Sequence, residues 1–555
     1  MMLCLSSLAF GTTFIGSNLF PKRILSSFIH DRKERHSSSS SPRWNHNIRG
    51  GASDDNEVVA NNVSLKDLLE KYPPKPQLSD DPTNKRAIVI VDSFCDYHGG
   101  YVAKQAKDVY NVTVIHALST YVTGYMIQSS GADQTEDIAS SRLPLTQEDC
   151  KLWMEDLQKN FGIEEICGIY CESDSGLQDV EIFGSLVGIK QHDGINEARR
   201  NKYLMNQQIS QVGLSSVQQK MCYSLEEAMD FAQHLFSNYD YDNSQKIGTL
   251  QQNLGEDSNL GILGTASNVD DSQKKYCVVK PCRGVASDGV YLCNDLDSVT
   301  KAFETIQGSS IFGSSLGEKH AGVLIQEFAM GTEYAIDVVT KNGHSKIAAL
   351  WRYDKRPVNG APFVYHATEL MDAANTKVGQ DIYAYLQKVL NILKIGWGIS
   401  HCEVIVSPSG DIKLVEVNCR QHATDFAPLT SACIGYNALD MVLDAYLGDG
   451  DEWEEIPDLP TTRLYGAIVH LVSHVEGVVK SLNIDALEEI SSQESVVAME
   501  VYPEIGQPVG KTIDIRSDAG WIHLIHPSQS TFLDDYNRII ELMPHLFTTH
   551  PRQES

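Results

Sequence analysis

Two glutamates and an asparagine on facing strands carry the first chemical signal. In the segment SHCEVIVSPSGDIKLVEVNCR, strands over 401–407 and 412–418 flank PSGD, which reads as a four-residue turn. With Ser407 paired to Ile412, Glu403 stands opposite Glu416 and His401 opposite Asn418. Alternation along a strand sets all four side chains on one face. Carboxylates directly opposite each other repel, so something positive is expected between them. Two Glu and one Asn offer only oxygen, the donor set of Mg²⁺. A solvated, exposed face is the other reading, and a five-residue loop would shift the register and part the two glutamates.

Three further segments could handle phosphates or a nucleotide. VVKPCRGVASDGV ends a strand in Lys280 and turns through Gly284 and Gly289. Small residues let backbone N–H groups approach phosphate oxygens, and the lysine adds a point charge. A plain hairpin turn fits the same residues. VLIQEFAMGTEYAIDV ends a strand at Gln326-Glu327, turns at Gly331 and opens the next strand with Glu333. Such a hinge can offer backbone edges and acids to a base and a ribose, or be an ordinary connection. WRYDKRPVNGAPFVYH, over 351–366, has Gly, Pro, two Arg and a Lys. It is expected to be a mobile basic lid in which Arg352 and Lys355 reach substrate or phosphate, with an exposed loop as the alternative.

The elements that must position these residues follow from periodicity. Residues 1–82 give few order signals and end in a Pro-rich linker. RAIVIVDSF, NVTVIHAL and ICGIYCESDSGL are apolar runs alternating with helical stretches, the pattern of an α/β unit with a parallel sheet. A helix is expected over 194–213, ended by Gly213, and residues 238–274 read as a polar surface insertion. A β-rich region follows to about residue 418. Helices read as TKVGQDIYAYLQKVLNILKI and NALDMVLDAYLG, and a last α/β region lies beyond the acidic linker near 450–459.

In this order, the helix lysine, strand-Lys-Gly loop, Gln-Glu hinge and Glu–turn–Glu-x-Asn-x-Arg hairpin resemble the ATP-grasp superfamily of carboxylate–amine ligases. The resemblance spans about 86–546. It lies nearest the branch of bacterial L-amino acid (dipeptide) ligases and carnosine synthase, although Asn418 is not shared by every member of that branch. It implies an α/β fold with α+β character in the ATP-grasp part. The expected division is a Rossmann-like pre-ATP-grasp domain over 83–199, a two-lobed ATP-grasp domain over 200–450 and a C-terminal α/β subdomain over 460–547.

The resemblance also implies residue roles. Lys202 and Lys280 would contact ATP phosphates, with Arg283, Gly284, Ser287 and Gly289 in a loop closing over them. Gln326, Glu327 and Ala329 would frame adenine, and Glu333 would bind ribose. Glu403, Glu416 and Asn418 would hold Mg²⁺ or Mn²⁺. Arg420 would stabilise the transferring phosphate, and His401 would lie near a substrate. The implied reaction joins a small carboxylic acid to an amine, both amino-acid-like, with release of ADP and phosphate through an acyl phosphate. The alternatives are another ATP-grasp reaction (carboxylation or thiol ligation) or a nucleotide-binding regulator without turnover. An NAD-dependent enzyme is disfavoured, because DSFCDYHGGYVAK lacks the glycine fingerprint. Homodimers are common in the family.

Composition bounds the rest. The chain has 555 residues, 42% of them apolar, enough for several cores. Its net charge of −28 disfavours nucleic acid as a partner. The first 50 residues reverse that sign, with seven Lys and Arg against two acids. The apolar stretch over 3–20 is interrupted by polar residues, so it is a poor membrane span and reads as an organelle presequence. It resembles two-part plastid presequences; a mitochondrial address, or a plain tail on a cytoplasmic protein, fits as well. No membrane association is expected elsewhere. The twelve cysteines show no metal-site spacing and read as reduced thiols of an intracellular protein.

Overall fold

The computed structural model describes residues 85–93, 95–120, 138–139, 142–237, 275–284, 289–311, 318–424 and 426–551. The expected presequence, the 238–274 insertion and Ser287 lie outside the described residues.

The first unit runs β1 (Arg86–Val91), α1 (Gly99–Asp108), β2 (Thr113–Ala117), β3 (Ile138–Ala139), α2 (Gln147–Phe161), β4 (Glu165–Cys171) and α3 (Leu177–Val187). Its strands form a parallel sheet in the order β3-β2-β1-β4. Continuous apolar runs suit strands covered on both faces, and β1 is buried from Ala87 to Val91. At the sheet's C-terminal edge the Asp92 carboxylate accepts bonds from Ser119 N, Ser119 Oγ and Ser173 Oγ at 2.8, 2.7 and 2.6 Å. One buried acid thereby fixes the loops after three strands, where open α/β sheets present their ligand crevice.

The helix expected over 194–213 is shorter. A 3₁₀ turn (Glu197–Arg199) precedes α4 (Lys202–Gln211). The Asn201 side chain accepts from the N–H groups of Tyr203 and Leu204 and caps the new start. Lys202 therefore stands in the helix's first turn.

Next come β5 (Gln219–Cys222), α5 (Leu225–Ser237), β6 (Cys277–Lys280), β7 (Tyr291–Cys293), α6 (Leu296–Ile306) and β8 (Val323–Glu327). The strands form an antiparallel sheet in the order β5-β8-β6-β7, packed against α5 and α6 through Ala228, Ala232, Val299 and Phe303.

The largest sheet has eight strands. Its sources are β9 (Thr332–Lys341), β10 (His344–Val358), β11 (Ala361–Met371), β12 (Gly398–Val406), β13 (Ile412–Asn418), β14 (Tyr465–His470), β16 (Val496–Val501) and β18 (Gly520–His526). Their spatial order is β13-β12-β9-β10-β11-β14-β18-β16. Between them in sequence lie α7 (Lys377–Ile392), α8 (Ala427–Cys433), α9 (Ala438–Leu447), β15 (Gly477–Leu482), α10 (Ile484–Ser491) and β17 (Pro508–Val509). The chain closes with α11 (Gln529–Leu542) and β19 (Phe547–His550), and β17-β15-β19 make a small sheet.

One expectation changes here. Residues 351–366 are not a lid but the facing halves of β10 and β11, joined at Asn359-Gly360. Both turn residues have positive φ, 55° and 83°, as a tight hairpin turn requires. In the C-terminal region β14 pairs with β11, so β14, β18 and β16 extend the central sheet, while β17, β15 and β19 form the small one.

One face of the large sheet packs on α4 and α7. The other meets α9 and the parallel unit in a shared core that includes Ile88, Val102, Val339, Ile399 and Leu443. Gly168 is required at this seam, because a Cβ there would lie 2.7 Å from the Tyr446 ring.

Candidate active site

The hairpin reaches the expected pairing by an unexpected route. Val406, not Ser407, pairs with Ile412, so the loop has five residues. A bulge between Glu403 and Val404 leaves Val415 without a partner and restores Glu403↔Glu416 and His401↔Asn418. The two one-residue departures cancel. Glu416 is then gripped from two sides: Lys202 Nζ lies 2.6 Å from Oε2, and Asn418 Nδ2 donates to Oε1 at 2.8 Å. Burial opposes the charge on Glu416, but Lys202 outweighs it and holds the carboxyl below its usual range.

Lys202 Nζ also donates to Gly284 O at 3.0 Å, and its backbone N–H donates to Cys282 O at 2.9 Å. The start of α4 thus carries the loop after β6. Arg283 extends to Glu318 at 3.2 Å. Gly289, where that loop ends, has φ +68°. A small cavity here is lined by Asp174, Arg200, Lys202, Arg283, Gly284, Glu416 and Asn418. Lys280, 6% exposed, has no ion-pair partner among the described residues. Burial, with Lys202 nearby, pushes its ammonium down to about 8.

A separate cleft of about 230 Å³ opens between the β8–β9 hinge and the β12–β13 loop. Glu327, Ala329, Phe328, Met330, Tyr276 and Lys413 line it, and Lys413 Nζ pairs with Glu327 at 2.5 Å. Gln326 is not in its wall: the side chain is buried and donates to Gln219 Oε1 at 2.9 Å. Gly331 makes the hinge, since a Cβ there would lie 2.2 Å from Val406 O.

Arg420 is held by the parallel unit. Its Nε donates to Asp174 Oδ1 at 2.9 Å and its Nη1 to Gln421 O at 2.7 Å. Lys355 Nζ lies 2.7 Å from Glu333 Oε1 and above the rings of Tyr353 and Tyr365. Burial opposes its charge, but Glu333 keeps it above the ordinary lysine range. Arg352 does not join this group. It alternates to the opposite face of β10 and pairs with Glu369 through Nε at 2.8 Å.

Behind the hairpin the structure adds residues that sequence reading missed. Tyr353 OH donates to Glu403 Oε1 at 3.2 Å and lies 3.2 Å from His422 Nε2. His401 Nε2 is 3.4 Å from Glu403 Oε1. Burial disfavours the Glu403 charge, yet His401 and Lys355 hold its carboxyl well below the usual range. Asp337, directly opposite His401 on β9, accepts from Trp351 Nε1 at 2.7 Å. An acid inside the apolar run EYAIDVVT was a usable signal for Asp337, and a histidine two places after Arg420 was one for His422.

Residues 273–428 match the ATP-grasp domain family. Over 443 residues the chain is 24% identical to dapdiamide A synthase of Enterobacter agglomerans, covering 79% of this chain and 91% of that protein. Its fold is similar to the crystal structure of L-amino acid ligase from Bacillus licheniformis (TM-score 0.57, 14% identity, 84% of this chain and 99% of that one). It also resembles N5-carboxyaminoimidazole synthase from Aspergillus clavatus, solved with ADP and 5-aminoimidazole ribonucleotide (TM-score 0.51, 13% identity, 83% and 99% covered).

Proposed function

From the premise that the chain carries an ATP-grasp ligase domain, we propose that it joins a small carboxylic acid to the amine of an amino-acid-like acceptor through an acyl phosphate. The observation that carries this reading is the convergence of Lys202, Glu403, Glu416, Asn418 and Arg420 where the hairpin meets the parallel unit. Its working division is 83–199, 200–450 and 460–547.

Glu403, Glu416 and Asn418 fit a divalent cation. Their donor set can be all oxygen, and in the free protein Lys202 already supplies positive charge to Glu416. These residues would hold Mg²⁺, or Mn²⁺, which when bound would neutralise charge on ATP phosphate oxygens. Adenine would occupy the cleft beside Glu327, Phe328 and Ala329. Lys202 and Lys280 would contact the phosphates, and Glu333, paired with Lys355, would bind the ribose hydroxyls. Arg420, fixed by Asp174, would face the transferring phosphoryl group as the substrate carboxylate attacks it. The amine then attacks the acyl carbon and phosphate leaves. His401 would lie near the substrate, behind Glu403. Catalysis on this reading comes from positioning and charge.

The test is ADP and phosphate release with MgATP against pools of carboxylic acids and amino acids, with amide formation followed by mass spectrometry. Stimulated release of both, with a coupled product, is expected. AMP and pyrophosphate as products would overturn the acyl-phosphate route.

A further inference from the structure

Asp337, His401 and His422 meet at one buried point. His401 Nδ1 and His422 Nδ1 lie 3.6 and 3.5 Å from the same atom, Asp337 Oδ1. All three side chains are at least nine-tenths buried, and none of these three atoms has a hydrogen-bond partner.

The hydrogen bonds on the far side of each ring decide what faces that point. His401 Nε2 approaches Glu403 Oε1, and a carboxylate oxygen only accepts, so Nε2 carries the hydrogen. Tyr353 OH gives its one hydrogen to Glu403, so toward His422 Nε2 it accepts, and that nitrogen too is the donor. With Nε2 the donor on each ring, both Nδ1 atoms face the same Asp337 carboxylate oxygen. The buried Asp337 carboxylate calls for a cation at this point, a proton or a metal ion. A single proton would serve one ring and leave the other bare.

We propose that Asp337, His401 and His422 bind one late first-row divalent cation, of which Zn²⁺ is the representative, at a site separate from the Glu403–Glu416–Asn418 set. Atoms about 2.1 Å from a tetrahedral ion lie about 3.4 Å apart, close to the spacings observed. Imidazole nitrogen selects Zn²⁺ over Mg²⁺. Each ring has the outer partner that metal-bound histidines use, a carboxylate for His401 and a hydroxyl for His422, and Asp337 is steadied by Trp351. A cavity of about 30 Å³ adjoins Asp337 and His422. Gln421 and Thr424 line it, and Gln421 Oε1 and Thr424 Oγ1 are themselves without partners. It has room for a water as fourth ligand. The ion would pin β9, β12 and the segment after β13 together and orient Glu403 through His401.

The experiment uses the full chain, stripped with chelator and re-equilibrated with Zn²⁺ in millimolar Mg²⁺, without nucleotide. The outcome is thus independent of the ligase reading. Bound metal is counted by mass spectrometry, and Co²⁺ is used as a spectroscopic probe. Wild type is expected to retain about one more Zn²⁺ per chain than His422→Gln. The variant's affinity is expected to fall at least about tenfold, the loss that even an outer partner costs. Co²⁺ should show a tetrahedral visible spectrum that the variant lacks. Asp337→Asn is the second variant, and thermal unfolding with and without Zn²⁺ checks that each folds; only wild type should gain stability. Equal Zn²⁺ in wild type and folded variants, or Zn²⁺ displaced by Mg²⁺, would overturn the proposal.

Discussion

Glu416 touches Lys202 and Asn418 and faces Glu403, so one substitution there removes the crevice's anchor. Glu416→Ala is expected to lower kcat by about 10²–10³-fold, about 3–4 kcal/mol in the barrier, read as ADP release. Lys280 makes a pH prediction. Its pKa of about 8 means that the free protein loses this charge as pH rises through about 8. Bound phosphates would restore the charge. Nucleotide affinity should therefore fall above pH 8, and binding just above that pH should take up a proton. Calorimetry in two buffers of different ionisation enthalpy measures the uptake, and Lys280→Met should abolish it. That Glu416 shares a face with Asn418, and His401 with Glu403, was legible from alternation within each strand. Asp174 was not, since its partner Arg420 lies 246 positions away and no local pattern links them.

At the scale of the element, legibility depended on bulges. The five-residue loop would have parted Glu403 and Glu416 had the extra residue in β13 not compensated. Neither departure has a sequence signal of its own. The basic segment was misread for a related reason. Charged residues in WRYDKRPV look like a loop, yet Arg352 and Lys355 are on opposite faces of a strand whose register slips between Asp354 and Lys355. Gly331 tests the hinge. Gly331→Ala would drive a Cβ into Val406 O, pushing β9 and β12 apart beside the cleft. The expected result is a loss of about 1–3 kcal/mol in thermal unfolding and weaker nucleotide binding. Unchanged melting and affinity would mean the hinge relaxes freely.

Across the whole molecule, the parallel unit and the large sheet share one apolar core and one ion pair at the crevice, Asp174–Arg420. Asp174→Ala leaves a buried guanidinium without its carboxylate. Asp174 is itself partly exposed, so the cost falls at the lower end for such pairs, about 3 kcal/mol. It should appear as a lower melting temperature together with a reduced kcat, whereas Asp174→Glu should recover part of both. The alternation of strands and helices that defines the first unit was legible, and so were the helices flanking the sheet. The joining of the C-terminal strands to that sheet was not, because pairing of β11 with β14 spans about a hundred residues.

That continuous sheet bears on how the protein can be divided. A fragment ending at 455 would strip β14 from β11, leaving Ala367, Thr368 and Glu369 without their ladder partners beside an uncovered apolar face at Val364 and Ala367. A bare edge beside an apolar face templates association with other chains. This fragment, expressed alone, should self-associate, and light scattering would register the growth. Nucleotide would not rescue it, because it does not replace the missing strand. The terminal hundred residues thus act as the stop that keeps the sheet from growing into its neighbours.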